Sequence, residues 1–339
     1  MSTPTRIMAT VADDRCTREF VERLHSLGME GVRINSAHVS PQTMREMIAL
    51  IRSVSPSITI LIDTKGPEIR TTDIAASAPI YMPEGHRVLL RSGSEPTTSE
   101  CVCVMVDGLE RYASPGCRIL LDDGEIELVA DAVDADGVKA RVVKAGSLDS
   151  RKTLNIPGTE IPPLPAVSPR DLLSLRAAVE AGADIVAHSF VRSAADVLAV
   201  REVIAGSSVR LYAKIECREG VENIRSILEV SDGLLVARGD LGAQIDPADI
   251  PAVQLQALSL CHAVGKPSIV ATHILQSMMQ NPSPTRAELS DIALGVMEGA
   301  SWLLLTGETA RGEYPGECID IMRRTIAATV NANLSCRLI

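Results

Sequence analysis

Apolar runs of strand length alternate with amphipathic stretches of helix length along this chain, and the alternation repeats eight times. Arg6–Val11, Gly31–Ala37, Thr59–Lys65, Asp184–Phe190, Val209–Glu216, Gly233–Gly239, Pro267–His273 and Ser301–Gly307 read as strands. Thr17–Leu27, Pro41–Val54, Pro169–Ala181, Ala194–Ala205, Val221–Val230, Ala252–Val264, Thr285–Glu298 and Gly316–Val330 read as helices. Long, periodic elements of alternating type predict an α/β fold with a parallel sheet. Eight βα units joined by short loops suit a closed (β/α)8 TIM barrel better than an open sheet.

One interruption follows the third strand. Between Thr72 and Glu160 the helical stretches vanish and short β runs take over, at Arg87–Arg91, Cys101–Val106, Arg118–Leu121, Glu125–Ala130 and Val138–Val143. Asp123-Gly124 and Asp136-Gly137 lie between such runs, and Asp-Gly suits a tight hairpin because both residues tolerate positive φ. The expected organisation is residues 1–71 as the first part of the barrel, 72–160 as an inserted β-barrel domain, and 161–339 as the rest. An insertion at this point overhangs the C-terminal face, where barrel enzymes place their chemistry, and acts there as a lid or as a passive decoration.

Composition narrows the partners. The net charge is -10 with no dense Lys/Arg cluster, which argues against nucleic acid and against anionic membranes. No apolar run reaches the roughly 18 residues of a membrane span, and Met1–Asp14 lacks the apolar core of a secretion signal. The eight cysteines form no Cys-x-x-Cys pair and read as reduced, buried thiols of a cytoplasmic protein. Aromatics are 2% of the chain, so the core is expected to consist of Ala, Val, Ile, Leu and Met.

The strand ends carry the chemistry. Arg33 and Asn35 close the second strand, Asp63-Thr64-Lys65 the third, Lys214 and Glu216 the fifth, Gly239 and Asp240 follow the sixth, Thr272 and His273 the seventh, and Thr306 the eighth. Lys214 and Glu216 are two apart on a strand and so share a face. They read either as a buried ion pair or as a cation beside a metal carboxylate, with Asp240 as a second carboxylate of the kind that holds Mg²⁺. Arg33, Arg70 and Lys214 would make a positive pocket for a phosphorylated, carboxylated ligand. His38 and His273 read as solvated or core histidines, and His25, His86, His188 and His262 are given no role.

At these residues the sequence resembles pyruvate kinase. Asp63–Arg70 reads DTKGPEIR, Lys214–Glu216 lies in AKIECREGVENI, and Asp232–Gly242 reads DGLLVARGDLG. Met278–Ala300 reads MMQNPSPTRAELSDIALGVMEGA, Leu305–Pro315 reads LTGETARGEYP, and Ser150-Arg151-Lys152 with Asn155-Ile156-Pro157-Gly158 is similar to the end of that family's lid. The resemblance covers nearly the whole chain. It implies a phosphotransferase that converts phosphoenolpyruvate and ADP to pyruvate and ATP through a metal-bound enolate. Glu216 and Asp240 would hold Mg²⁺ or Mn²⁺, while Lys214, Arg33 and Thr306 would serve the reaction. Arg33, Lys214, Gly239, Asp240 and Thr272 would bind substrate; Asn35, His38, Arg70 and Lys152 would face the nucleotide. Asn35, Asp63 and Thr64 would coordinate K⁺, with Glu68 the residue of K⁺-dependent members.

The chain departs from the family at three places. Ala37 stands where a K⁺-ligating serine is usual. Ala12-Asp13-Asp14 stands where the family has Gly-Pro-Ala, which puts Asp13 in place of the proline that lies against the nucleotide base, and Pro41-Gln42-Thr43 lacks the usual flanking aromatic. The sequence ends after the eighth barrel helix, without the family's C-terminal regulatory domain, so no sugar-phosphate allostery is expected and a homo-oligomer of unusual form becomes an option. Two other readings stay open: another enolate or 2-oxo-acid reaction, or phosphotransfer to another acceptor, on the same metal; and a non-catalytic phosphoenolpyruvate sensor.

Overall fold

The computed structural model describes residues 5–159 and 164–332. Glu160, the expected end of the insertion, and Cys336 lie outside the described residues. The chain divides into two compact units, one of Met1–Gly66, Ala166–Arg238 and Ala248–Ile339, the other of Pro67–Pro165 and Gly239–Pro247.

The first unit is a closed barrel of eight parallel strands: Arg6–Thr10, Gly31–Asn35, Thr59–Asp63, Ile185–His188, Arg210–Ile215, Gly233–Ala237, Ser268–Ala271 and Trp302–Leu305. Each strand pairs with its neighbours in chain order, and the first closes on the eighth through Arg6↔Trp302 to Ala9↔Leu305. Helices connect them, four with side-chain caps at their start: Thr17 accepts from Phe20 N–H, Ser40 accepts from Thr43 N–H, and Ser168/Asp171 and Thr285/Glu288 form reciprocal capping boxes. The single helix expected over Val221–Val230 is two, Arg218–Glu222 and Ile224–Val230, broken at Asn223, whose side chain donates to the Arg192 carbonyl at 2.9 Å.

Alternate residues of each strand fill the barrel, including Met8, Leu61, Tyr212, Leu235, Ile269, Trp302 and Leu304. The expectation of a purely aliphatic core fails here, because Trp302 and Tyr212 are fully buried inside the barrel. Glycines make the room. A Cβ at Gly31 would lie 2.9 Å from Met8 and 3.0 Å from Trp302, and one at Gly233 would lie 3.0 Å from Tyr212. Two bulky rings packed against two missing side chains keep the interior volume near that of an aliphatic layer.

The second unit holds a six-stranded sheet in the order Leu154–Asn155, Arg118–Leu121, Ile126–Asp134, Gly137–Lys144, Arg87–Ser92, Cys101–Val104, and a two-stranded sheet of Ile80–Met82 with Gly146–Leu148. Its two edges are joined by bridges from Arg70 to Thr153 and from Thr71 to Val104. The expected hairpin is present, but its two turn residues are Ala135 and Asp136, and Gly137, at φ +133, begins the returning strand paired with Asp134. The other turn is longer than a two-residue hairpin: a short 3-10 helix, Asp122–Gly124, connects strands paired from Leu121↔Ile126. Val88, Leu90, Val102, Ile119, Leu128 and Val142 are among the residues of this unit's own core.

No helix among the described residues is long and apolar enough to cross a membrane. The seven described cysteines are free thiols, and burial pushes Cys217, Cys261 and Cys318 up to about 12, well away from reactive thiolate.

Candidate functional site

The alternation that buries Leu61 and Tyr212 also directs Asp63, Lys214 and Glu216 inward, one layer nearer the C-terminal mouth. There they meet. Lys214 Nζ lies 2.8 Å from Glu216 Oε1, 3.0 Å from Asp63 Oδ1 and 2.7 Å from Ser189 Oγ. The other Asp63 oxygen takes a two-pronged contact from Arg33, with Nε at 2.7 Å and Nη2 at 2.6 Å, and Arg33 Nη1 donates to Thr10 Oγ1 at 3.1 Å. Two cations and two carboxylates, all largely buried, thus share one network around a single ammonium.

The charges are unevenly satisfied. Burial opposes ionisation of Asp63, yet Lys214 and Arg33 together hold its carboxyl below the usual range. For Glu216 burial wins and pushes the carboxyl up, because Lys214 is shared and the Asp63 charge stands nearby. Glu216 Oε2 accepts from Phe190 N–H at 2.8 Å. Its Oε1 is buried with no directed hydrogen bond, the Lys214 contact being an ion pair only. A buried carboxylate oxygen in that condition fits a divalent cation, which completes its shell with substrate oxygens and water. Among the described residues no group of three or more His, Cys, Asp or Glu side chains makes a ready-built metal cage. One or two carboxylates plus ligand oxygens is the remaining arrangement.

The three residues expected to hold K⁺ are engaged otherwise. Asn35 Oδ1 accepts from Ala37 N–H at 3.0 Å, Asp63 is divided between Arg33 and Lys214, and Thr64 Oγ1 accepts from Ser189 N–H at 3.1 Å and lies 2.9 Å from His188 Nδ1. Ala37 adds no hydroxyl to this set, which therefore has one side-chain oxygen fewer than the resemblance implies.

Thr272 and His273 close the seventh strand in the left-handed region, at φ +69 and +53, and the Thr272 carbonyl accepts from Arg238 Nη2 at 2.7 Å and Nε at 3.2 Å. Thr306 N–H and Oγ1 donate to Glu308 Oε2 at 2.8 and 3.3 Å. Gly239 and Asp240 lie in the short helix Arg238–Gly242, not on a strand as expected for Gly239. His38 is exposed in the turn after the second strand. In the second unit Arg70 donates through Nε to Glu68 at 2.6 Å and through Nη1 to the Arg151 carbonyl at 2.7 Å, while Lys152 Nζ pairs with Asp122 at 3.0 Å.

Sequence reading missed Ser189, the hydroxyl at the centre of the network. Its single proton can go to Asp63 Oδ1 at 3.0 Å or to the Thr64 carbonyl at 2.7 Å while the oxygen accepts from Lys214. The signal was its place two residues after the inward-facing Ala187. Gly66 packs on it so closely that a Cβ there would lie 2.5 Å from the Ser189 carbonyl, and its φ of +70 also requires glycine. His188, buried beneath, was also passed over.

A sequence profile described as "Pyruvate kinase, barrel domain" matches residues 2–319. The chain is 37% identical over 323 residues to "Pyruvate kinase" of Borreliella burgdorferi, covering 94% of this chain and 66% of that one. It is 38% identical over 336 residues to the proteins of the same name from Staphylococcus epidermidis and Staphylococcus aureus, covering 97% of this chain and 57% of each of those. The chain therefore spans between about half and two-thirds of the length of these relatives.

Proposed function

Since the chain belongs to the pyruvate kinase family, we propose that its barrel transfers the phosphoryl group of phosphoenolpyruvate to ADP. The observation that carries this reading is the Arg33–Asp63–Lys214–Glu216 network at one strand-end layer. The Arg33 fork suits phosphoryl oxygens, and the Lys214 ammonium offsets charge that spreads over the phosphoryl group and the enol oxygen as they part. Thr272 is proposed for the substrate carboxylate with Gly239, and Thr306 supplies a hydroxyl for proton delivery to the enol carbon. Glu216 would hold a divalent cation, Asp240 keeps the role its motif gives it, and a bound Mg²⁺ or Mn²⁺ supplies further positive charge to the same oxygens. Arg70, Lys152, Asn35 and His38 are the residues proposed for the nucleotide.

³¹P NMR of phosphoenolpyruvate with the protein and Mg²⁺, with and without ADP, tests this reading. ATP growing only in the ADP sample is the expected result. Free phosphate in both samples would instead favour another acceptor, the reading supported by Asp13 and Asp14 standing exposed on a 3-10 helix beside the first strand. No change in either sample, despite Mg²⁺-dependent binding, would leave a 2-oxo-acid enzyme or a sensor.

Because the side chains for K⁺ are engaged elsewhere, the reaction is proposed to run without it. Replacing K⁺ by tetramethylammonium at constant ionic strength should change kcat/KM by less than about twofold. Activation by K⁺ of about tenfold or more would show that Asn35, Asp63 and Thr64 give up their present partners.

A further inference from the structure

A threonine with positive φ is a backbone outlier, since its branched Cβ crowds the neighbouring peptide, and two successive non-glycine residues in that region need an external restraint. Thr272 and His273 are such a pair. The restraint lies on the neighbouring strand's end. Arg238 directs Nη2 and Nε at the Thr272 carbonyl, 2.7 and 3.2 Å away, and its remaining arm donates to Asp291 Oδ1 at 2.7 Å. Asp291 belongs to the helix Arg286–Met297, and Gln254, 3.4 Å from Arg238 Nη1, is itself tied to Glu298 at 2.7 Å. The guanidinium is thus fixed from behind and 12% exposed. Its fork holds one peptide carbonyl in place, a use of arginine that lysine cannot copy with a single ammonium.

We infer that Arg238 is a positioning residue: it keeps Thr272, whose hydroxyl here donates to the Ala271 carbonyl at 2.6 Å, in the left-handed conformation that presents this turn to a small carboxylate ligand at the barrel mouth. The ligand half of this statement rests on the proposed function; the conformational half does not. A strand end without the clamp relaxes toward extended backbone, and the ligand must then restore the turn from its own binding energy.

The test is a cycle of Arg238→Gln and Thr272→Gly, read by two independent measurements. Glycine enters the left-handed region without penalty, so the clamp matters less once it is present. Calorimetric binding of oxalate with Mn²⁺ should weaken about tenfold on Arg238→Gln in the wild-type background, and by less than about threefold in the Thr272→Gly background. Arg238→Lys should fall between, restoring one of the two hydrogen bonds. Equal losses in both backgrounds, or none, overturn the inference. If the wild-type protein binds no oxalate, the functional reading fails and the second measurement still decides. The urea midpoint should fall more on Arg238→Gln when threonine is present than in the Thr272→Gly background; equal shifts overturn the clamp.

Discussion

Replacing Lys214 with methionine should lower kcat/KM for phosphoenolpyruvate by about a thousandfold, the scale seen when a preorganised charge is removed from a dry site. Lys214 is 7% exposed and serves Asp63, Glu216 and Ser189 at once. Removing one partner of a buried ion pair costs about 3–5 kcal/mol when the remaining charge has nowhere to go. Here two outlets limit the loss. Asp63 keeps Arg33, and Glu216, whose carboxyl burial already pushes up, takes on a proton. The stability cost should therefore sit near the lower figure, about 3 kcal/mol by urea unfolding. The variant remains folded if the whole domain has ordinary stability, so its activity can be measured. Activity within tenfold of wild type would remove Lys214 from the reaction.

The second large effect is on stability against pH. His188 is 1% exposed, and burial pushes its imidazole down to about 4. The neutral ring can accept at Nδ1 from the Thr64 hydroxyl, 2.9 Å away. In the unfolded chain the same ring titrates near 6.5. The unfolded state thus binds the proton first. The contribution of His188 is fully present above pH 6.5 and drains away as pH falls to about 4. Each pH unit in that window is worth about 1.4 kcal/mol, or about 3 kcal/mol across it. Carboxylates such as Asp63 also lose stability in acid, so the measurement is a comparison with His188→Asn, whose amide oxygen can still accept from Thr64. The wild-type advantage over that variant should shrink with falling pH by the amount given. A gap that stays constant from pH 7 to 4 would mean that the ring takes up its proton as readily in the folded state as in the unfolded one.

The barrel was readable because its evidence is redundant: eight apolar runs, eight amphipathic stretches and a cap such as Ser168 or Thr285 at helix starts all predict the same fold. The ends of the strands were less readable. Strands expected to run to Phe190, Glu216, His273 and Gly307 stop at His188, Ile215, Ala271 and Leu305. Beyond them the backbone turns, and at Phe190, Thr272 and His273 it turns through positive φ without a glycine to announce it. Propensity has no means of signalling a conformation imposed by a distant partner, such as Arg238 on Thr272. Charged members of the site were found by residue type and spacing. Ser189 was missed because a serine carries no charge and its importance lies in three partners brought from the third and fifth strands. Trp302 and Tyr212 were missed as core because composition counts rings and does not locate them.

That placement of Trp302 gives the molecule a built-in optical reporter. It is the chain's only tryptophan, fully buried in the barrel, with the Arg6 guanidinium 3.8 Å from its ring centre. The inserted β unit has no indole of its own. Intrinsic emission excited at the indole band therefore follows the opening of the barrel and is blind to the insertion, whereas far-ultraviolet dichroism sees both. Two coincident transitions would mean that barrel and insertion melt as one cooperative body, and two separate ones that the insertion can unravel while the barrel, with its charged network, stays shut.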